Sequence, residues 1–177
     1  MMNQNVKLWL RAANPFTPPR GMAEAQRAAR VGTVALAIGA VQGLAAVPLM
    51  PGQMARTRDL MMQGTDVPAG SEAFTEALLT AMAPMMVIGV VVFSVLYLVL
   101  AVVQWRKMTW VIPAIMLAFL GYSLLSALSG FVMLGAAAAK LYTAVTFVQW
   151  AIMLVTTFGY VAAFRGGRML DQLKRSF

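Results

Sequence analysis

The feature that most constrains this chain is a set of four long apolar segments that contain no Asp, Glu, Lys or Arg. They cover about residues 31–50, 78–104, 110–135 and 141–164. Each reaches the roughly 20 residues that a helix needs to cross a hydrocarbon core of about 30 Å. Lipid offers no hydrogen bonds to the backbone, so such segments must be helical. The sequence therefore predicts an all-α integral membrane bundle of four transmembrane helices.

The composition agrees with a membrane protein and argues against a soluble one. Hydrophobic residues make up 60% of the chain and charged residues 11%, although the net charge is +8. Soluble domains are about half apolar and about one quarter charged. The positive charges lie at the borders of the apolar segments, and no basic face interleaved with aromatic residues lies outside them. We therefore expect no binding of nucleic acid.

The distribution of Lys and Arg predicts the orientation of the bundle. Eleven of the 14 lie before the first span, in the hairpin after the second span, or after the fourth span. The other side of a four-span topology carries only Arg56, Arg58 and Lys140. Cytoplasmic loops are enriched in Lys and Arg, so both termini are expected in the cytoplasm. The same bias, with the compactness of the chain, favours a bacterial inner membrane.

The spans divide the chain into three segments. Residues 1–30 form a basic arm and helix lead-in, residues 31–164 form the transmembrane domain with an outer loop at 51–77, and residues 165–177 form a basic tail. The link between the second and third spans and the link between the third and fourth are both short, which predicts an antiparallel meander of these three helices. Gly166 and Gly167 predict a helix stop at the start of the tail.

The arm has the pattern of a short amphipathic helix. Val6, Trp9 and Leu10 are apolar and alternate with Lys7 and Arg11. Such a helix would rest in the headgroup region with its apolar side in the acyl chains. The alternative is a loosely ordered terminus that carries one tryptophan.

Small residues recur every four positions in three of the spans. This spacing lines one helix face with small side chains and lets a second backbone approach closely. The face would contact a partner subunit or a second copy of the chain, or it would pack inside this bundle, which is the commoner case. Span one is the best candidate for a partner contact. The positions are Ala35, Gly39, Gly43, Ser126, Gly130, Gly159 and Ala163.

Two amides and three tryptophans complete the set of candidate contact residues. Gln42 and Gln149 lie inside spans, where an amide seeks an interhelical hydrogen bond or a partner. Trp9, Trp105 and Trp110 lie where aromatic rings anchor in the membrane interface.

Catalytic and cofactor chemistry have little support in the sequence. The chain has no Cys and no His, which removes the usual ligands of zinc, haem and iron–sulfur clusters and excludes Cys and His as catalytic nucleophile or base. We therefore predict no enzyme activity and no cofactor. Thioether sulfur is a soft ligand that suits Cu(I), although methionine more often fills apolar space. The candidate ligands are Met50, Met54, Met82, Met85 and Met86.

These observations lead to three hypotheses for the function. The first is a non-catalytic membrane subunit that packs against a larger complex, such as an energy-transducing one, and stabilises or assembles it. Its partners would be other integral membrane subunits and lipids. The second is a small transporter or channel that works as a homo-oligomer. The absence of charge inside the spans argues against ion-coupled transport. The third is a Cu(I)-binding membrane protein.

Overall fold

A computed structural model of the chain describes residues 4–63, 71–134 and 143–176. Parts of the predicted outer loop and of the link between spans three and four fall on residues 64–70 and 135–142, outside this range. A 3₁₀ turn at Val47–Leu49 connects the second helix to the third. The helices are α1 Gln4–Ala13, α2 Met22–Ala46, α3 Met50–Gln63, α4 Ser71–Lys107, α5 Val111–Leu134 and α6 Ala144–Arg175.

The expectation of four helices long and apolar enough to cross a membrane is confirmed. Helices α2, α4, α5 and α6 each contain a window that is long and apolar enough to span the hydrocarbon core. Large apolar side chains cover the outside of the bundle, as shown by Val132 and Met85, which are 80% and 74% exposed. An apolar exterior of this extent is expected for a helical bundle surrounded by lipid.

Helix α2 lies at the centre of the bundle and packs along α6 through small residues. A Cβ added at Gly159 would lie 3.0 Å from the Cβ of Ala35, and one added at Gly32 would lie 2.7 Å from the Cβ of Ala163. Ala35 and Ala163 are themselves buried. The two antiparallel helices therefore approach at backbone distance, as small residues spaced by four allow.

Helix α4 packs on another side of α2 through polar contacts. The side chain of Gln104 is fully buried, and its Nε2 donates a hydrogen bond of 3.0 Å to the carbonyl oxygen of Ala29. Further along the pair, Gly39 faces the ring of Tyr97 and Gly43 faces the hydroxyl of Ser94. Span one therefore uses its small residues inside the bundle, because α4 and α6 cover that face.

The order of packing differs from the meander predicted for spans two to four. Helix α2 lies between α4 and α6, and α5 packs chiefly on α6 rather than on α4. A tight turn joins α4 to α5, with Met108 in the left-handed region at φ 49°. Pro113 of α5 is buried beside Gly32 of α2. Beyond the turn, Ala101 of α4 and Met116 of α5 belong to one buried side-chain cluster that also includes α2, so α4 and α5 meet there around α2.

The helix stop predicted at Gly166 and Gly167 is wrong, because α6 continues to Arg175. Both glycines are buried inside this helix. A Cβ on Gly166 would lie 2.7 Å from the carbonyl oxygen of Ala25, and one on Gly167 would lie 2.7 Å from the backbone nitrogen of Trp110. The pair provides close contact with α2 and with the α4–α5 turn.

Helix α1 and the segment after it contact the ends of α2 and α6. Arg11 forms an ion pair of 3.0 Å with Glu24 of α2. The guanidinium of Arg165 donates a hydrogen bond to the carbonyl oxygen of Pro15. We call the end of the bundle that carries these contacts the basic end. Helix α1 and the segment that follows it are thus held at the basic end by these two polar contacts.

Candidate functional site

The bundle is tightly packed near the basic end and open in its other half, which we call the open half. There, residues 39–46 of α2 and 149–156 of α6 border a cleft of about 430 Å³ that also reaches α4 and α5. In this half the sequence carries the larger side chains of Gln42, Gln149 and Trp150 in addition to small residues, and all three line the cleft.

Gln42 and Gln149 are brought together by the fold. Both line the cleft, and both also line an apolar groove of about 450 Å³ at the side of the α2–α6 pair. Each is half-buried, and neither has a hydrogen-bond partner among the residues that the structure describes. The interhelical bond that the sequence suggested between them is therefore not made. In lipid, an amide without a partner favours binding of any molecule in the cleft that offers a hydrogen-bond donor or acceptor.

Four further polar side chains line the cleft, and sequence reasoning missed them. The hydroxyl of Thr156 is already bonded to the carbonyl oxygen of Met153 at 3.0 Å. Tyr97 and Tyr160 lie close to Gly39, at the bottom of the cleft. Polar residues within apolar spans are the signal that could have identified them. The four are Tyr97, Ser123, Thr156 and Tyr160.

The chemistry of the cleft is that of a neutral hydrogen-bonding site. Its lining contains amides and hydroxyls among apolar side chains such as Met116 and Leu120. None of the residues that line it is charged. The lining can donate hydrogen bonds to carbonyl oxygens and accept them from hydroxyl or amide groups. The lining contains no charged side chain that would bind an ion strongly. It also contains no Asp, Glu or His, the residues that commonly transfer protons near neutral pH.

The other candidate packing residues lie in two different environments. Gly159 and Ala163 are buried against α2, as are Ala35 and its neighbours. Ser126 is exposed, and a Cβ added at Gly130 would meet no described atom within 4 Å. Ser126 and Gly130 of α5 therefore remain open for contacts outside the described chain.

The candidate copper ligands lie on two helices, α3 and α4. Met82, Met85 and Met86 of α4 are exposed, whereas Met50 and Met54 of α3 are half-buried. The lining of the cleft includes none of the five. The described residues also hold no group of His, Cys, Asp and Glu able to bind a metal.

The three tryptophans predicted as interface anchors lie near the basic end. The guanidinium of Arg30 lies over Trp105, with 4.9 Å between its central carbon and the ring centroid. Trp110 makes an edge-on contact with Phe164, with 6.0 Å between ring centroids. Trp9 is in α1 and is partly exposed. Their positions agree with anchoring at one membrane interface.

The difference between Gln104 and Gln42 leads to a prediction. Gln104→Leu is expected to lower the free energy of unfolding by about 1 kcal/mol, because it removes the buried bond to Ala29. Gln42→Leu is the matched control and is expected to cause no loss, since its amide has no partner in the described chain. Thermal unfolding of the purified variants in detergent measures both. Equal losses would show that the bond to Ala29 contributes nothing specific.

Comparison with known proteins gives no assignment. The chain matches no protein-family model. It also has no significant similarity to a curated protein or to a solved structure. The function must therefore be argued from the geometry of the bundle.

Proposed function

We propose that this chain is a non-catalytic integral membrane subunit that packs against a larger membrane complex and helps to assemble or stabilise it. The observation that supports the proposal is the pair of amides, Gln42 and Gln149, which face the open half without hydrogen-bond partners in the described chain. Acyl chains cannot satisfy an amide, so a transmembrane helix with a polar side chain would be held there in preference to lipid.

The shape of the open half suits a helix as the occupant. Ala46 of α2 and Ala127 of α5 line the cleft with small side chains, which leave room for an inserted group, whereas α4 already covers Gly39 and Gly43. A cleft of about 430 Å³ accepts the side chains of one helix face rather than a whole helix. The partner would therefore lie along the cleft and insert a few side chains between α2 and α5.

The proposal includes an orientation. The basic end carries Arg30, Arg106 and Lys107 together with Arg165 and Arg168 of α6. By the distribution of positive charge this end lies in the cytoplasm, with α1 attached to it and both termini on that side. The open half then lies toward the outer leaflet. A bacterial inner membrane is the location that we propose.

A native gel of gently solubilised membranes tests the proposal. The wild-type chain is expected to migrate with a larger complex, and Gln42→Leu combined with Gln149→Leu is expected to release it. The purified double variant should keep the thermal stability of the wild type, because neither amide is bonded within the described chain. Migration of the wild type alone, near the mass of a monomer or dimer, would contradict the subunit proposal.

A second candidate function is supported by the volume of the cleft. Sites for small molecules have about 300–1,000 Å³ and are mostly apolar with a few polar groups. At about 430 Å³ the cleft falls within this range. A homo-oligomeric carrier of a neutral amphiphile would then transport its ligand with no other protein present. Flux through liposomes that contain only the purified chain would favour this function over a subunit role. The exposed methionines give a copper site no comparable support.

A further inference from the structure

A second groove lies on the face of the bundle between α2 and α4, close to the basic end. It has a volume of about 580 Å³ and is lined by Thr33, Leu98, Ala101, Val102, Trp105 and Arg106. Leu98, Val102 and Arg106 follow one another at intervals of four residues, so they lie on one face of α4. The groove therefore has a cationic end and an apolar length that runs toward the middle of the membrane.

Polar atoms without partners lie at the cationic end. The Nε of Arg30 and the Oγ1 of Thr33 are both buried, and neither has a hydrogen-bond partner in the structure. Arg30 lies over the ring of Trp105, which is itself part of the groove. The Oε1 of Gln104, next to Trp105 in the chain, is a third buried polar atom without a partner, and each such atom costs free energy.

No carboxylate of the described chain pairs with these arginines. At the same end, Glu24 is paired with Arg11 at 3.0 Å, and Asp171 is paired with Arg175 at 3.0 Å. Arg30 and Arg106 have no ion pair with any described residue. The positive charges of Arg30 and Arg106 are therefore not neutralised by a carboxylate of the described chain.

We propose that the groove binds an anionic phospholipid. The headgroup phosphate is held at Arg30, Thr33 and Arg106, and one acyl chain lies along Leu98 and Val102. Arginine is suited to this role, because its planar guanidinium can donate two parallel hydrogen bonds to a phosphate. Basic pockets between transmembrane helices on the cytoplasmic side are typical sites for anionic headgroups.

The general bias of positive charge does not account for this arrangement. Topology requires arginines on one side of the membrane, and those of the tail, such as Arg168 and Arg175, satisfy it equally well. It does not require an arginine over Trp105, an orphaned hydroxyl at Thr33, or an apolar groove directly below them. The lipid site is also independent of the cleft that contains Gln42, which is lined by other residues.

Native mass spectrometry of the full-length chain with phosphatidylglycerol, and separately with phosphatidylcholine, tests the site. The wild type is expected to retain phosphatidylglycerol in preference to phosphatidylcholine. Arg30→Gln combined with Arg106→Gln is expected to weaken that binding roughly thirtyfold, since each cation contributes about one kilocalorie per mole of attraction. The control is Lys7→Gln with Lys174→Gln, which removes two exposed charges from the same end.

A third variant keeps the arginines and fills the groove. Val102 is 57% exposed, so Val102→Trp is expected to leave the thermal stability unchanged and to displace the lipid. Equal losses in the arginine pair and in the lysine pair would show diffuse surface charge and overturn the proposal. Lack of preference for phosphatidylglycerol in the wild type would also overturn it, as would displacement of the lipid by inorganic phosphate.

Discussion

Replacing Gly166 by alanine is expected to lower the free energy of unfolding by about 3 kcal/mol. The new Cβ would lie 2.7 Å from the carbonyl oxygen of Ala25 and 2.7 Å from the backbone nitrogen of Ala29. These are backbone atoms, which cannot move aside as a flexible side chain can. The α2–α6 contact would have to separate, and the bundle would lose its centre. Thermal unfolding in detergent measures the change.

Gly121 of α5 is the matched control for this prediction. It also lies inside a helix, but a Cβ there meets no described atom within 4 Å. Alanine is favoured over glycine in a helix by about 1 kcal/mol, so Gly121→Ala is expected to be neutral or stabilising. The two substitutions should therefore have opposite signs. A similar small effect at both positions would contradict the close approach of α2 and α6.

Labelling of single cysteines from one side of the membrane is expected to give an all-or-none result. The chain has no native cysteine, so one added residue reports its own position without further substitutions. Ala55 and Ser176 are both exposed and lie on opposite sides in the proposed orientation. In intact cells of a bacterial host, an impermeant maleimide should label Ala55→Cys and leave Ser176→Cys unlabelled.

Permeabilised cells provide the control for this experiment, because both cysteines should then react. Labelling of Ser176→Cys in intact cells, with Ala55→Cys protected, would invert the topology. That result would also move the groove beside Arg30 to the outer leaflet. Labelling of both cysteines in intact cells would contradict the passage of α4, α5 and α6 between them across the membrane.

The number of membrane-spanning helices was predictable from the sequence, whereas their order of packing was not. An apolar segment without charge can only be a helix in lipid, so residues 78–104 and 110–135 determine their own structure. Which helices meet depends on pairs of small residues from distant parts of the chain, such as Gly32 with Ala163. Such pairs cannot be matched from spacing alone. The short link between α4 and α5 suggested that these two helices pack along their length, whereas α5 packs chiefly on α6.

The glycines of α6 show why local patterns mislead inside a bundle. Gly166 and Gly167 beside arginine have the local pattern of a helix end, because glycine is a weak helix former. Tertiary packing reverses this expectation, since only glycine fits against the backbone of Ala25 and Trp110.

The residues of the open cleft were partly predictable from the sequence, but their arrangement was not. Gln42 and Gln149 were identified as polar positions, but their position on one cleft depends on the antiparallel packing of α2 and α6.

The central claim is that the open half receives a transmembrane helix of a partner subunit. Photo-crosslinking in native membranes tests this claim most directly. A photoreactive residue at Leu124 lines the cleft, whereas one at Leu96 of α4 has similar exposure outside it. The account predicts a protein adduct from position 124 only, with the crosslinked peptide identified as a transmembrane helix of another subunit. Lipid adducts alone at position 124, or equal protein adducts at both positions, would contradict it.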